Sequence, residues 1–374
     1  MLAFALKTLF CDRSKALAGS LGVAFSLILM SMQGGLYLGL MKKASVLIDY
    51  CQADLWVGQR FVDNVDLARG IPEIWLNRLR GVPGVADVRP YLVGKGTATL
   101  DGGRMEDVWI IGADAETGAG APWRFAQGSM ADLRRPYGIS FDTVDRDKLG
   151  EPKLGEWMEV NGVRARVVAQ TDGITGFITM PYLFTNYREA QRLTRSPEGE
   201  CSYLLVRAEP NCDLDTLRNL LQRRVPHAAV FKPEEFAARS QEYWMKRTGI
   251  GISFGASTLL GLLVGLTVVA QSLYALALDH LEEYAALKAI GADDGHVIRI
   301  IAAQSLTIAG CGSCLGLLCV SAIRILWHNP LAPVEIPLWL MAAAVATVFA
   351  ICLLASLLPF WRIRRIDPAT VLTG

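Results

Sequence analysis

Long runs of apolar residues alternate along the chain with segments of ordinary polarity. Four of these runs contain no Asp, Glu, Lys or Arg: Ala16–Met41, Thr248–Leu278, Ile300–Ile323 and Ile336–Trp361. A helix needs roughly 20 apolar residues to cross a bilayer, and each run is long enough. The pattern therefore predicts four transmembrane helices and excludes a purely soluble enzyme.

The predicted fold class is an integral membrane protein with four transmembrane α-helices (1+3) and a large α+β extracytoplasmic domain between the first and second. The predicted boundaries are a cytoplasmic start at 1–15, spans at 16–41, 248–278, 299–323 and 336–361, an outer domain at 42–247, a cytoplasmic loop at 279–298, an outer loop at 324–335 and a cytoplasmic tail at 362–374. The first span is expected to be an uncleaved signal anchor, because its apolar core is too long for a signal peptide.

Lys and Arg near the helix ends predict the orientation of the chain. One side has eight such residues: Lys7, Arg13, Lys15, Lys288, Arg299, Arg362, Arg364 and Arg365. The other side has five: Lys42, Lys43, Lys246, Arg247 and Arg324. The excess predicts that both termini lie in the cytoplasm.

The outer segment alternates strand-like and helix-like runs. Strands are predicted at Ala53–Val57, Val108–Ile111 and Ser202–Ala208, and Trp157–Val167 reads as a hairpin with an Asn-Gly turn. A helix followed by a strand occurs twice, at 74–88 and at 213–231, where a proline stops each helix. These two units suggest a split βαβ layer, although two ordinary helix ends are the alternative.

The last part of the outer segment has a helical pattern that leads into the second span. Phe236, Ser240, Tyr243 and Arg247 recur every three to four residues. A continuous helix from here into the membrane is expected, and it would act as a mechanical lever.

Catalytic chemistry is not indicated by the sequence. The four histidines have no metal-ligand spacing, a G-x-S-x-G elbow is missing, and Gly94-Lys95 is followed by Gly96 rather than by the hydroxyl of a phosphate-binding loop. The net charge of +1 does not suit a nucleic-acid partner. The spans also lack the ionisable groups of an ion-coupled carrier. We therefore expect no catalytic residue, metal or cofactor in this chain.

Small residues and cysteines offer packing and cross-linking sites. Four G-x-x-x-G pairs predict close helix packing or a dimer: Gly35/Gly39, Gly251/Gly255, Gly261/Gly265 and Gly312/Gly316. Cys311 and Cys314 lie among glycines of the third span and are read as packing residues. In the outer domain Cys201 and Cys212 could form a disulfide, which would leave Cys51 unpaired.

The loop between the second and third spans contains a short helical pattern, Leu281 to Lys288, that Gly291 is expected to stop as a left-handed cap. Such a helix could dock in a partner's groove, and a solvated connector is the alternative. Its residues 283–292 resemble the E-x-A-x-L-[RK]-A-[IL]-G-A signature of FtsX/MacB-type ABC transporter permeases. Asp367–Leu372 is similar to the closing P-x-x-x-L element of that family, and 29–35 with 53–57 look like its DevC branch.

The resemblance implies a dimeric, non-catalytic permease with a cytoplasmic ATPase subunit, which would hold the ATP and Mg²⁺. The loop would be the coupling helix, and the matching positions are Glu283, Leu287, Lys288, Gly291 and Ala292. A periplasmic adaptor and an outer-membrane channel are expected in DevC-like members, for export of a lipid-like or hydrophobic substrate. The alternatives are an FtsX-like scaffold that activates a periplasmic hydrolase and a lipoprotein-releasing permease.

Overall fold

The computed structural model describes residues 9, 12–327 and 329–364. Its helices are α1 (Arg13–Lys43), α2 (Val46–Asp49), α3 (Trp75–Arg80), α4 (Tyr187–Thr194), α5 (Leu214–Arg224), α6 (Pro233–Thr248), α7 (Ile250–Asp279), α8 (Leu281–Ala289), α9 (Asp294–Leu326), α10 (Leu338–Ala355) and α11 (Leu357–Arg364). Its strands are β1 (Leu55–Gln59), β2 (Ile71–Pro72), β3 (Val85–Thr99), β4 (Met105–Ala113), β5 (Phe125–Gln127), β6 (Gly138–Asp142), β7 (Trp157–Val160), β8 (Val163–Thr171), β9 (Tyr182–Asn186), β10 (Glu200–Cys201), β11 (Tyr203–Ala208) and β12 (Ala228–Phe231). The predicted closing element 367–372 and Lys7 lie outside the described residues.

Four helical segments are long and apolar enough to cross a membrane. They are Arg13–Lys43, Ile250–Asp279, Asp294–Leu326 and Leu338–Arg364, and the last consists of α10 and α11 with Ser356 between them. These segments cover the four charge-free runs of the sequence. The predicted fold class, with one span before the outer domain and three after it, is confirmed.

The membrane helices form one compact unit in which small residues allow close contacts. The Ser26 hydroxyl of α1 donates a hydrogen bond of 2.9 Å to the carbonyl oxygen of Gly261 in α7. On the other side of α1, a Cβ added at Gly312 of α9 would lie 2.5 Å from the carbonyl oxygen of Ser20. Close backbone approach of this kind is what small residues permit in a bilayer, where helices associate by packing rather than by exclusion of water.

The outer unit comprises residues 40–249 and 329–332 and contains a four-stranded antiparallel layer. Its strand order is β12-β1-β11-β3. Helix α3 lies between β1 and β3 in the chain, and α5 lies between β11 and β12. Leu79 of α3 and Leu217 and Leu221 of α5 are buried in one core with Leu55 and Val206 of the sheet. The split βαβ layer is therefore confirmed.

Six strands, β3 among them, close into a ring, while β5 pairs with β8 outside the ring and β2 pairs with β10. From β3 the order is β4, β9, β6, β8 and β7, and β7 pairs back with the far end of β3 at Ala98 and Thr99. The predicted hairpin is β7–β8, and both turn residues have positive φ, 52° at Asn161 and 76° at Gly162. Positive φ at both positions is what a two-residue type I′ turn needs. The sequence did not predict the ring, because its β4/β9 and β6/β8 pairs join distant segments.

The helix at the end of the outer domain does not continue into the second span, so the expected uninterrupted lever is wrong. Helix α6 ends at Thr248, and Gly249 adopts a left-handed conformation with φ of 65° before α7 begins at Ile250. Glycine occupies this conformation without steric penalty and commonly terminates helices. The connection between α6 and α7 is therefore a single-residue break.

Helix α6 is also bonded to the chain that follows α1. The Ser240 hydroxyl donates to the carbonyl oxygen of Ala44 at 2.7 Å, and the Gln241 amide donates to the Ser45 hydroxyl at 2.9 Å. Both acceptors lie in the outer unit, one and two residues after α1. The two segments that link the outer domain to the first and second spans are therefore joined to each other.

Candidate functional site

Helix α8, in the loop between the second and third spans, buries one face. Tyr284 and Ala285 pack into a small core with Val297, Ile301 and Ile363. The Tyr284 hydroxyl donates to the Gln304 side-chain oxygen at 3.4 Å. Burial raises the pKa of Tyr284 to about 12, so its hydroxyl keeps its proton at neutral pH. The helix is thus fixed to its neighbours by a buried aromatic residue.

Lys288 links α8 to the end of α11. Its ammonium donates to the carbonyl oxygens of Ile363 at 3.1 Å and Arg364 at 3.0 Å, and it lies 3.6 Å from the Asp294 carboxylate. Hydrogen bonds from a charged donor are stronger than those between neutral groups, so this contact stabilises the packing of α8 against α11. Lys288 therefore fixes α8 to the backbone of α11.

The end of α8 has the geometry of a Schellman motif. Gly291 has φ of 102°, its amide donates to the Lys288 carbonyl at 3.0 Å, and the Ala292 amide donates to the Leu287 carbonyl at 3.0 Å. These are the two hydrogen bonds that define the motif. The cap predicted at Gly291 is confirmed. Asp293 then begins α9 by accepting a hydrogen bond from the His296 amide at 2.9 Å.

The other face of α8 is exposed and combines acidic with apolar character. Glu282, Glu283 and Asp293 are exposed, and the Ile290 side chain is 87% exposed. Glu283 contacts the His280 ring at 3.0 Å. Sequence reasoning missed Ile290, because the family signature shows an apolar residue there without showing that it points outward.

The predicted coupling residues are divided between these two faces. Glu283 and Gly291 lie on the exposed face, whereas Leu287, Lys288 and Ala292 are partly buried within the chain. Contact of any of them with an ATPase stays a prediction. Two features were not predicted: the contact of Lys288 with α11 inside the chain and the exposure of the Ile290 side chain.

The predicted glycine pairs do not share one role. Added Cβ atoms at Gly35, Gly39, Gly261, Gly265, Gly312 and Gly316 would approach atoms of neighbouring helices or of the connecting segment within 3.2 Å. A Cβ at Gly255 would meet no atom within 4 Å, and Gly251 is half-buried. Three pairs thus pack inside the chain, whereas a side chain at Gly255 of the fourth pair would have open space.

We expect Gly312→Leu to destabilise the protomer by about 3 kcal/mol, because the side chain would collide with the Ser20 carbonyl and with Val23. Gly310→Leu on the same helix is the matched control, since a Cβ added at Gly310 would meet no atom within 4 Å. Thermal unfolding of the purified protein in detergent measures the difference. Equal stability of the two variants would contradict the packing described here.

The disulfide considered for Cys201 and Cys212 is not supported, because both cysteines are free thiols, as is Cys51. Cys201 is buried in the core of the outer domain, and burial raises the pKa of its thiol to about 12. A thiol that stays protonated is a poor nucleophile. Within residues 9, 12–327 and 329–364, groups of three or more His, Cys, Asp or Glu that could hold a metal are not found.

A buried carboxyl group lies near α6 in the outer domain. Asp66 is 4% exposed and accepts a hydrogen bond of 3.2 Å from the Tyr182 hydroxyl. Burial raises its pKa to about 7, and the Tyr182 hydroxyl, the Trp244 indole of α6 and the charge of Lys95 oppose the rise. The indole N–H does not reach standard hydrogen-bond geometry. This buried carboxyl group was not predicted from the sequence, because Asp66 stands among ordinary loop residues.

Comparison with protein families assigns the class. A model described as the MacB-like periplasmic core domain matches residues 19–224, and one described as the FtsX-like permease C-terminal matches residues 255–368. The chain belongs to the FtsX/MacB-type family of ABC transporter permeases. It is accordingly a non-catalytic, multi-pass inner-membrane subunit that works with an ATPase. The DevC branch stays a prediction.

The individual relatives share little sequence identity with this chain. Uncharacterized ABC transporter permeases from two strains of Mycobacterium tuberculosis are each 25% identical over 305 residues, covering 81% of this chain and 79% of theirs. The periplasmic region of MacB from Actinobacillus actinomycetemcomitans is 13% identical, covers 50% of this chain and 92% of its own, and has a TM-score of 0.38. The extracellular domain of YknZ, from Gram-positive bacteria, is 14% identical over 48% of this chain and 99% of its own, with a TM-score of 0.35.

Proposed function

We propose that this chain is the permease subunit of an ABC exporter and transmits ATPase-driven motion to its outer domain and a periplasmic adaptor. The observation that carries the proposal is the two-sided character of α8. One face is fixed by Tyr284 and Lys288 to the helices around it, and the other presents Glu282, Glu283 and Ile290. A partner that pushes on the exposed face displaces these helices with it.

The segments that connect the spans to the outer domain can transmit this displacement. Displacement of α7 reaches α6 through Gly249, and the hydrogen bonds of Ser240 and Gln241 connect α6 to the chain after α1. Two of the four connections between the outer domain and the membrane therefore move together. The glycine break lets α6 and α7 change their angle without the loss of a helical hydrogen bond.

The proposal includes a homodimer with both termini in the cytoplasm and ATP and Mg²⁺ bound by the partner ATPase. The unused Gly251/Gly255 pair on α7 supports the dimer. Lys15, which pairs with Asp279, lies on the side that the excess of basic residues assigns to the cytoplasm. An outer-membrane channel would complete the path for an exported substrate.

The proposed cargo is lipid-like or hydrophobic. A groove of about 550 Å³ lies between α7 and the α10–α11 segment and is lined mainly by apolar side chains, including Leu266, Leu354 and Trp361. A volume of this size falls within the range of small-molecule sites. The groove supports a hydrophobic cargo without identifying it.

We expect Ile290→Asp to lower stimulation of the partner ATPase by about tenfold or more, because it removes an exposed apolar anchor and adds charge to an acidic face. Met105→Asp, at a site in the outer domain that is 72% exposed, is the matched control and should have no effect. ATPase activity of the reconstituted complex measures both. Unchanged stimulation in the Ile290 variant would contradict the coupling assignment.

The proteins that accompany the chain from its own membranes test the wider proposal. Purification in mild detergent followed by mass spectrometry should give an ATPase and a periplasmic adaptor. An ATPase with a cell-wall hydrolase would instead establish the signalling scaffold, and an ATPase with a lipoprotein chaperone the releasing permease.

A further inference from the structure

The outer domain presents an exposed surface of arginine and aromatic side chains on the β7–β8 hairpin, the start of β6 and α4. We call it the arginine–aromatic surface, and it consists of Tyr137, Trp157, Arg164, Arg166, Arg192 and Arg195. On the hairpin, Trp157 stands opposite Arg166, and Arg164 is two residues away on the same outward face of β8. These positions are adjacent in space because the ring of strands brings the hairpin beside α4.

The aromatic residues are held in place although they are exposed. Trp157 is 54% exposed and Tyr137 is 44% exposed, and their ring centroids are 6.0 Å apart. The Arg192 guanidinium lies 4.5 Å from the Tyr137 ring centroid, at cation–π distance. Tyr137 has φ of 64°, an uncommon conformation for a residue other than glycine. Backbone strain of this kind is concentrated at functional sites.

The arginines of this surface outnumber the carboxylates beside them. Arg192 pairs with Glu189 at 2.6 Å, whereas Arg166 and Arg195 donate to the backbone carbonyls of Gly155 and Asn161. Hydrogen bonds to carbonyl oxygens hold a guanidinium in position but leave its charge in place. Among the described residues, Arg164, Arg166 and Arg195 form no ion pair with a carboxylate, although the exposed Glu159 stands opposite Arg164 on the hairpin. With four arginines against Glu159 and Glu189, the surface keeps a net positive charge around two exposed rings.

We propose that the arginine–aromatic surface binds an acidic segment of an extracytoplasmic protein partner, with Trp157 as the apolar anchor and Arg164 and Arg166 as ligands for carboxylates. Tyrosine, tryptophan and arginine dominate the energetics of protein interfaces, and the fork of a guanidinium matches a carboxylate. The charge of the surface requires an acidic partner. The inference rests on the proposed function, in which the outer domain works with an adaptor, and it names where that adaptor binds.

The test uses the full chain in detergent and a fluorescein-labelled oligoglutamate peptide with a central leucine, followed by fluorescence anisotropy. Arg164→Glu/Arg166→Glu should weaken binding by about tenfold or more, and Trp157→Ala by a similar factor without a change in charge. Arg223→Glu/Arg224→Glu on α5 is the matched control, because it makes the same charge change at two exposed arginines elsewhere. The control should bind the peptide as the unmodified chain does.

Three results would overturn the proposal. They are no peptide binding by the unmodified chain, equal weakening in both double variants, and binding of dextran sulfate but not of the peptide at this surface. The last would assign the surface to anionic glycans. Copurification of an ATPase is measured on the same preparations. If the unmodified chain copurifies with no ATPase, the proposed function is contradicted. If it copurifies with an ATPase but does not bind the peptide, only the role proposed for the arginine–aromatic surface is contradicted.

Discussion

Lys288→Glu is expected to destabilise the contact between α8 and α11 by about 3–5 kcal/mol and to abolish coupling to the ATPase. The Lys288 side chain is 13% exposed and its ammonium donates to two carbonyl oxygens at the end of α11. A carboxylate there would face those carbonyls and Asp294 with its own charge uncompensated. Thermal unfolding in detergent and ATPase stimulation measure the two effects.

Lys288→Met separates packing from charge. Methionine keeps the length of the stem but not the donors, so we expect a smaller loss of about 2 kcal/mol, within the range for hydrogen bonds to charged groups. Glu282→Lys on the exposed face of α8 reverses a charge without touching α11. It should leave the unfolding temperature unchanged. Equal stability of Lys288→Glu and Glu282→Lys would show that the carbonyl contact contributes nothing.

The parts of the fold that depend on local sequence were predictable. The four spans follow from their charge-free length, the β7–β8 turn from Asn161-Gly162, and the end of α8 from Gly291. Each of these signals lies within the element that it specifies. The break at Gly249 was equally local and was missed, because the apolar run around it hid a single residue whose left-handed conformation ends α6.

Features that depend on distant contacts were not predictable from one sequence. The closure of β7 onto β3 and the burial of Asp66 bring together residues that are far apart in the chain. The same limit applies to the coupling loop. The signature predicted a coupling role for Lys288, but the partners of its ammonium in the structure are the carbonyls of Ile363 and Arg364, which only the folded helices bring close.

Asp66 makes the stability of the outer domain depend on pH. Tyr182, Tyr203 and Tyr91 surround it with buried hydroxyls, Lys95 is the nearby positive charge, and Trp244 of α6 closes the site. Because its folded pKa is about 7, the folded chain holds a proton that the unfolded chain releases near pH 4. The free energy of unfolding therefore falls as pH rises from about 4 to about 7. Above that range the loss of stability caused by the buried carboxyl group is constant.

Asp66→Asn removes this penalty, so the variant should be the more stable protein above pH 7, by up to about 4 kcal/mol. The asparagine side-chain oxygen can still accept the hydrogen bond from Tyr182. Near pH 4 both proteins carry a neutral side chain, and their unfolding temperatures should agree. Unfolding followed by tryptophan fluorescence at pH 4.5 and pH 8 measures the difference.

Asp63→Asn is the matched control for this experiment, because it makes the same change three residues away. Asp63 is 62% exposed and lies 3.6 Å from Arg239 in an ion pair at the surface. Exposed ion pairs contribute little to the free energy of unfolding, so the unfolding temperature of this variant should match that of the unmodified protein at both pH values. If both variants shift equally with pH, the burial of Asp66 is not what sets the pH dependence. If only Asp66→Asn shifts, ionisation of the buried Asp66 carboxyl sets the pH dependence of the stability of the outer domain.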